Sequence, residues 1–556
     1  MLKKYCKAIG IILTVSLLTM LVPQQSFADY PIFSQRYTAD PTAVEYNGRL
    51  YVYCSHDEDL MPNQNTYNIP DITCISTDDL KNWTDHGEVF NPSKDSSWAT
   101  KSWAPSIVYR NNKFYLYYGN GGNGIGVAVS DSPTGPFKDP LRGPLVSNNT
   151  PGVLPANNMW LFDPGVFVDD DGQAYMYFGG NGESNIRVIK LGNDMISTVG
   201  SAMTMTAPRF FEAAYMHKYN GKYYFTYASD YSISASRIEY MMSDKPTSGF
   251  TYKGIVLAQP PDNYNNNNHH TIVQFKDKWY CVYHNRTVST QRKVDTNYQR
   301  NVCIDELFYN ADGTIKQVIP TKDGLPQLKY VNPYVENLAV TMHKENGIET
   351  EPCSEGGRNV GYIENGDWIQ VKGVDFGSGA KSFEARVASG SSGGKIEIRL
   401  DSLTGTLIGT LTVLGTGGWQ EWTTEKCDVS NVTGVHDVFF KFTGGSSYLL
   451  NFSKWKFIPV SSQATPTAPI TPTPTPTSYV INTPTPTLSQ GILGDTNNDG
   501  DVNSLDFGYF RSYLLGKVKT IYNADLDGDG DVTSLDFALL RKYLLGIVRF
   551  PDPFPY

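Results

Sequence analysis

The chain has 556 residues, of which 18% are charged, and a formal net charge of −10. One hydrophobic core does not fill that length, so roughly two to four domains are expected. The acidic balance excludes a polyanionic partner such as nucleic acid, which needs a clustered basic face.

At the start, Lys3, Lys4 and Lys7 precede an apolar run from Ile9 to Val22, and Ser26-Phe27-Ala28 offers a small-x-small cleavage site. This is the pattern of a secretory signal over residues 1–28. The run of about 14 residues falls short of the roughly 20 that a membrane span needs. No later stretch is long and apolar enough, so an exported protein with no membrane partner is expected. Residues 1–28 hold three lysines and no acid, so their loss takes the formal charge from −10 to −13. Cys54, Cys74, Cys281, Cys303, Cys353 and Cys427 are too sparse for a disulfide-stapled scaffold and read mostly as small buried apolar residues, with pairing left open.

From residue 29 to about 325 a pattern occurs five times: a polar or special residue opens a strand, a hairpin turn follows, and an aromatic strand returns. The segments begin at Asp40 (DPTAVEYNGRLYVY), Ala104 (APSIVYRNNKFYLYY), Asp163 (DPGVFVDDDGQAYMYF), Glu212 (EAAYMHKYNGKYYFTY) and His269 (HHTIVQFKDKWYCVY). Starts roughly 50–65 residues apart suit one four-stranded sheet each, and five such sheets set radially form a five-bladed β-propeller. Asp40, Asp163 and Glu212 share one position in three repeats, which a propeller brings together at one end of its axis. Any one of them alone reads as a strand or turn cap. Three at equivalent positions point to glycosidic bond cleavage, which needs one protonated carboxyl to protonate the leaving oxygen and one ionised carboxylate to activate water. A third charge nearby raises the pKa of the acid.

The segments Ala39-Asp40-Pro41, Ser76-TDDLKNW-Thr84, Trp103-Ala104-Pro105-Ser106, Phe162-Asp163-Pro164-Gly165, Phe211-Glu212-Ala213 and the Asn-rich stretch ending His269-His270-Thr271-Ile272 resemble glycoside hydrolase family 43, in order, over residues 29–325. The resemblance implies that Asp40 is the general base, Glu212 the general acid and Asp163 the residue that tunes and orients Glu212. It also implies inversion, with water between Asp40 and the anomeric carbon. Trp103 and Phe162 match walls of the sugar pocket, and Arg300 the family's active-site arginine. His269 matches a histidine that contacts a central metal ion or its waters.

Residues 335–460 read as a second all-β unit, with alternating strands such as Lys395–Leu400 and Asp437–Phe442. Val360-GYIENGDW-Ile369, Val374-DFGSGA-Lys381, Gly417-GWQ and Leu450-Asn451-Phe452 resemble carbohydrate-binding module family 6, a jelly-roll sandwich. By that resemblance Tyr362 and Trp419 sandwich a sugar ring and Asn451 hydrogen-bonds it. Ile348-Glu349-Thr350-Glu351 matches the family's structural calcium pattern, but Ser453 stands where an aspartate is expected.

Residues 461–490, with Thr471-Pro472-Thr473-Pro474-Thr475-Pro476, form a Pro/Thr linker too polar to bury a core. In 491–556, two twelve-residue loops thirty residues apart place oxygen ligands at Asp495, Asn497, Asp499, Asp501 and Asp506, and at Asp525, Asp527, Asp529, Asp531 and Asp536. Gly500 and Gly530 take the sharp turn. Each loop runs into a helix. The duplicated loop-helix resembles a type I dockerin, which implies two calcium ions and a cohesin module of a scaffold protein as partner, with Ser504-Leu505 and Ser534-Leu535 at the recognition positions.

Taken together, these features predict a mainly β, secreted, cellulosome-mounted exo-glycosidase of plant hemicellulose. An α-L-arabinofuranosidase on arabinoxylan is favoured over a β-xylosidase or an arabinan-degrading enzyme. A non-catalytic sugar-binding propeller would be expected to lack one of the three carboxylates, and all three are present.

Overall fold

The structure, a computed structural model, describes residues 32–460 except 59–65, 261, 264–265, 293–296 and 323. In the tail it describes residues 493–497, 502, 504–514, 518–526 and 532–544. The expected signal over 1–28 and the linker over 461–490 lie outside the described residues.

The protein is mainly β. Its first part is a succession of antiparallel sheets, each built from strands consecutive in sequence, because short loops and hairpin turns join neighbours. The first sheet holds β1 (Tyr37–Tyr46), β2 (Arg49–Asp57), β3 (Ile72–Thr77) and β4 (Trp83–Phe90). The second holds β5 (Trp103–Arg110), β6 (Lys113–Gly119) and β7 (Ile125–Ser130). The third holds β8 (Gly165–Val168), β9 (Ala174–Phe178), β10 (Ile186–Leu191) and β11 (Thr198–Met205). The fourth comprises β12 (Phe210–Tyr219), β13 (Lys222–Ser229), β14 (Ile238–Ser243) and β15 (Thr251–Leu257). The fifth comprises β16 (His270–Phe275), β17 (Lys278–Asn285), β18 (Asn301–Tyr309) and β19 (Ile315–Lys316).

The opening strands neighbour one another in cyclic order, and β1 meets both β5 and β16. Side chains stitch this ring by capping backbone N–H groups of the next sheet. Ile107 donates to Thr42 Oγ1 at 3.2 Å, Val166 to Ser106 Oγ at 3.0 Å and Ala213 to Asp163 Oδ2 at 3.0 Å. The chain start closes the ring on the last sheet, where Thr38 N–H donates to Arg300 O at 2.7 Å. Middle strands such as Phe114–Tyr118 and Tyr223–Tyr227 are apolar on both faces because each sheet packs between two others.

Residues 337–459 form two packed sheets. One contains β23 (Glu349–Pro352), β24 (Arg358–Gly361), β26 (Ala380–Ser389), β29 (Gly418–Val432) and β31 (Asn451–Pro459), with β20 (Asn337–Leu338) on β31. The other contains β22 (Lys344–Asn346), β25 (Trp368–Asp375), β27 (Gly393–Leu400), β28 (Leu407–Leu414) and β30 (Val435–Gly444). Phe383, Phe440, Phe452, Trp455 and Phe457 fill the space between them. The remaining strand, β21 (Thr341–Met342), leaves the sandwich and pairs with β4, Thr341 against Thr84 and Met342 against Trp83. Asp85 is buried beside it, 2.6 Å from Arg36 Nη2 and 3.8 Å from Arg358 Nε. A shared sheet edge and a buried ion cluster thus join the two parts into one compact unit.

The tail is a second unit. Helices Ser504–Leu514 and Ser534–Leu544 bring Phe507 and Phe537, thirty residues apart in sequence, into a stack at 4.2 Å. Asp506 and Asp536 are fully buried, each accepting backbone N–H groups of its own loop: Thr496 at 2.8 Å for the first and Leu526 at 2.7 Å for the second. The six cysteines named above form no disulfide; five are buried and Cys427 is half-buried. Among the described residues, no helix is long and apolar enough to cross a membrane.

Candidate active site

A cavity of about 660 Å³ opens where the five first strands converge. It is lined by every site residue predicted in this part of the chain: Asp40, Trp103, Phe162, Asp163, Glu212, His269 and Arg300. Convergence follows from one local device. In β1, β5 and β12 the pairing register slips next to Ala39, Trp103 and Glu212, and the following residue takes a left-handed backbone. Those residues are Asp40 (φ 47°), Ala104 (φ 45°) and Ala213 (φ 59°), and Asp163 (φ 50°) matches them just ahead of β8. A left-handed non-glycine residue costs roughly 1–3 kcal/mol and is kept where the surroundings over-determine it, typically at a functional site.

This corrects the sequence reading at one point. Glu212 does not share the position of Asp40 and Asp163; it stands one residue earlier, in register with Ala39, Trp103 and Phe162. The bulge turns successive side chains to different sides of the strand. One set of equivalent positions therefore supplies Asp40 and Asp163, and the preceding set supplies Trp103, Phe162 and Glu212.

The three carboxyls sit in sharply different fields. All are buried, at 4–6% exposure. Burial alone would raise Asp40, but Arg300, whose Nη1 lies 2.6 Å from Asp40 Oδ1, and then His269 and His284 hold it down to about 2. Asp40 is therefore ionised. Burial pushes Glu212 well above the carboxylate range; the charges of Asp163 and Asp40 push it further, while Arg300 and a hydrogen bond from Asn267 work against them. Asp163 is raised likewise by burial and by Asp40, against the hydrogen bond from Ala213 N–H. One oxygen of Glu212 is buried with no protein partner, which leaves it free for a ligand. His269 lies 3.8 Å from Asp40 and 3.8 Å from Asp163, and burial lowers it to about 4, so it is neutral. Among the described residues no three His, Cys, Asp or Glu side chains gather as an ion site.

Several contributors were not foreseen. Asp57 grips Arg300 through Nε at 2.8 Å and Nη2 at 2.7 Å, and accepts its backbone N–H at 3.0 Å. Tyr67 lies under the Arg300 guanidinium, 4.6 Å from it. Trp160 and Phe211 meet edge to face at 5.6 Å on the rim, and Tyr231 meets Phe211 at 5.1 Å. Phe211 stands beside Glu212 and was within reach of the sequence. Asp57 and Tyr67 carry no local signal, since their partner Arg300 is over 200 residues away.

In the sandwich, Tyr362 (φ 54°) and Trp419 are exposed, at 43% and 37%. Trp419 rests on Gly390, where an added Cβ would come 2.8 Å from its Nε1. Asn451 is buried, its amide donating to Glu351 Oε1 at 2.6 Å and Trp419 O at 2.7 Å. Tyr448, edge-on to Tyr362 at 5.7 Å, was not foreseen. Glu351 is engaged by Gln420, Asn359 and Asn451, while Thr350 faces Asp85 of the first part of the chain. In the tail, Asp495, Asn497, Asp506, Asp525 and Asp536 fall within the described residues; Asp499, Asp501, Asp527, Asp529 and Asp531 lie outside them. The acceptor-only carboxylates buried at Asp495, Asp506 and Asp536 suit a hard cation such as calcium.

A sugar-sized pocket that keeps one carboxyl protonated and another ionised is the equipment of a glycoside hydrolase. The chain belongs to glycosyl hydrolases family 43, whose profile matches residues 28–315. Residues 338–459 match carbohydrate binding module family 6, and 493–545 the dockerin type I domain, a domain known to bind calcium. The chain is 42% identical over 481 residues to an arabinoxylan arabinofuranohydrolase of Paenibacillus polymyxa, covering 79% of this chain and 75% of that one. It is 43% identical over 473 residues to an arabinoxylan arabinofuranohydrolase of Bacillus subtilis strain 168, covering 77% and 92%. A crystal structure of a Bacillus subtilis arabinoxylan arabinofuranohydrolase of the same family, in complex with cellotetraose, superposes with a TM-score of 0.74 at 42% identity, over 78% of this chain and 98% of that one.

Proposed function

We propose that the chain is an inverting, exo-acting α-L-arabinofuranosidase that removes arabinose from arabinoxylan. The observation that carries the chemistry is the split between Asp40, held down to about 2, and Glu212, held well above the carboxylate range, in one cavity. Asp40 is the base that activates water, and Glu212 protonates the leaving oxygen. Asp163 raises and orients Glu212, Arg300 and His269 frame the base, and Trp103 and Phe162 are pocket walls. The two relatives that act on arabinoxylan carry the substrate assignment.

The finer architecture follows the same reading. The five cyclic sheets over 29–325 are the blades of a propeller, 335–460 is a jelly-roll sandwich in which Tyr362, Trp419 and Asn451 hold a xylan chain, and 491–556 is the dockerin. The dockerin takes two calcium ions on the ten tail ligands and binds a cohesin module of a scaffold, placing a secreted enzyme on a cellulosome. Side-by-side assay of the full chain on aryl arabinofuranoside, aryl xyloside, arabinan and arabinoxylan tests the substrate, and a preference for the xyloside overturns it. For the roles, Glu212→Gln is expected to spare an activated phenol leaving group far more than a sugar, whereas Asp40→Asn damages both alike. Equal leaving-group dependence in the two variants overturns the roles.

A further inference from the structure

Arg286, just after β17, is a fully buried guanidinium that does not line the cavity, yet among the described residues its side-chain partners belong to loops that do. Its Nε donates to Asn297 O at 2.8 Å, its Nη1 to Asn263 Oδ1, and its Nη2 to Asn267 Oδ1 at 2.8 Å and Tyr67 Oη at 3.3 Å. These acceptors are all uncharged, although a buried guanidinium ordinarily faces a carboxylate. Tyr67, Asn267 and Asn297 come from three separate loops, and each lines the cavity. Asn263 extends the grip by donating its amide to the carbonyls of Asn266 at 3.0 Å and Asn267 at 3.1 Å.

Asn267 is the focus of this network. Its side-chain oxygen accepts from both Arg286 and, at 3.0 Å, Tyr67 Oη, so its orientation is fixed and its NH₂ must point the other way. Asn267 and Glu212 line the same cavity, and the Asn267 amide works to lower the Glu212 pKa. Its backbone carbonyl accepts from His284 Nε2 at 3.3 Å, while Nδ1 of the same ring accepts the Asp40 N–H at 3.2 Å.

We propose that Arg286 is a positioning residue for the acid: by fixing the Asn267 amide and binding three loops, it sets the side chain of Glu212 and one wall of the sugar pocket before substrate arrives. This rests on the reading of Glu212 as the acid. Arginine is required because only its planar fork serves four acceptors at once, and lysine keeps the charge without the fork.

The test compares Arg286→Lys, Asn267→Ala and the double variant of the full chain with the parent. The groups that face Glu212 are Asp163, Asp40 and Arg300 together with Tyr67 and Tyr231, and no variant replaces any of them. A hydrogen bond to the ionised form lowers a carboxyl's pKa. Losing the Asn267 bond therefore raises Glu212, and the basic limb of the kcat/KM profile moves to higher pH. On a substrate with a poor leaving group, kcat/KM is expected to fall on the order of a hundredfold, as for a small misplacement of a reacting group, and much less on an activated aryl glycoside. The double variant is expected to be no worse than the poorer single variant, because both break one chain of contacts.

An unmoved basic limb, equal losses on both substrates, or additive losses would overturn the proposal. If Arg286→Lys does not fold, Asn267→Ala alone decides by its basic limb. Glu212→Gln runs alongside. Should it lack leaving-group dependence, the acid assignment falls and takes this proposal with it; should it keep that dependence while the other variants do not respond, only the proposal falls.

Discussion

The backbone N–H of Ala213 donates to Asp163 Oδ2 at 3.0 Å, tying the residue that follows Glu212 to the carboxylate that most strongly raises it. One side chain, reaching across from the third sheet to the fourth, thus anchors the backbone next to Glu212 and adds to the upward push that burial gives its carboxyl. Asp163→Asn keeps an oxygen for the Ala213 N–H and removes the charge. As the proposed acid, Glu212 acts while protonated, so activity is expected below its pKa and lost above it. With the charge gone its pKa falls, and the basic limb of the kcat/KM profile is expected at lower pH than in the parent enzyme. A limb that stays in place would restrict Asp163 to orientation.

Arg300 governs the other limb. As the proposed base, Asp40 works ionised, and its low value of about 2 exists because Arg300, His269 and His284 overcome the effect of burial. In Arg300→Gln burial is left less opposed, so Asp40 rises with the loss of the adjacent opposite charge. The acidic limb of the profile is expected to move up accordingly. Titration of activity from neutral pH downward measures it.

The sandwich is expected to hold polymer without touching catalysis. Trp419→Ala removes an exposed ring that rests on Gly390. Retention on insoluble xylan should weaken, since ring stacking contributes roughly 0.5–1.5 kcal/mol beyond area burial. Turnover of a small aryl arabinofuranoside should not change. Undiminished retention would place the sugar site elsewhere on the sandwich.

In the tail, Asp506 and Asp536 are buried acids at the ends of twelve-residue loops that carry many more negative charges. Without a cation these repel, and the core around Phe507, Phe510, Phe537 and Leu540 is small. Residues 491–556, made alone, are expected to lose most helicity in chelator and regain it with calcium, with cohesin capture following the same course. Activity of the full chain on a soluble substrate should fall much less. Circular dichroism and a pull-down, each with chelator and with calcium, decide it; full helicity in chelator rejects the dependence.

What the sequence determined by itself is whatever a contiguous stretch encodes. The five hairpin segments, the residues Asp40, Asp163 and Glu212, the aromatics Trp103 and Phe162, and the paired twelve-residue loops are each legible because the pattern that marks them lies within a few positions of the chain. Tertiary structure decided the rest. The offset of Glu212 by one position arises from a slip between paired strands, which a single strand cannot record. The grip of Asp57 on Arg300 joins residues 243 apart, and Arg286 gathers three loops that share no motif. The union of the family 43 part and the sandwich rests on Asp85 meeting Arg36, Thr350 and Arg358, and on a strand of one part completing a sheet of the other. Such contacts form only where the folded chain buries charges together and must satisfy them with the partners then within reach.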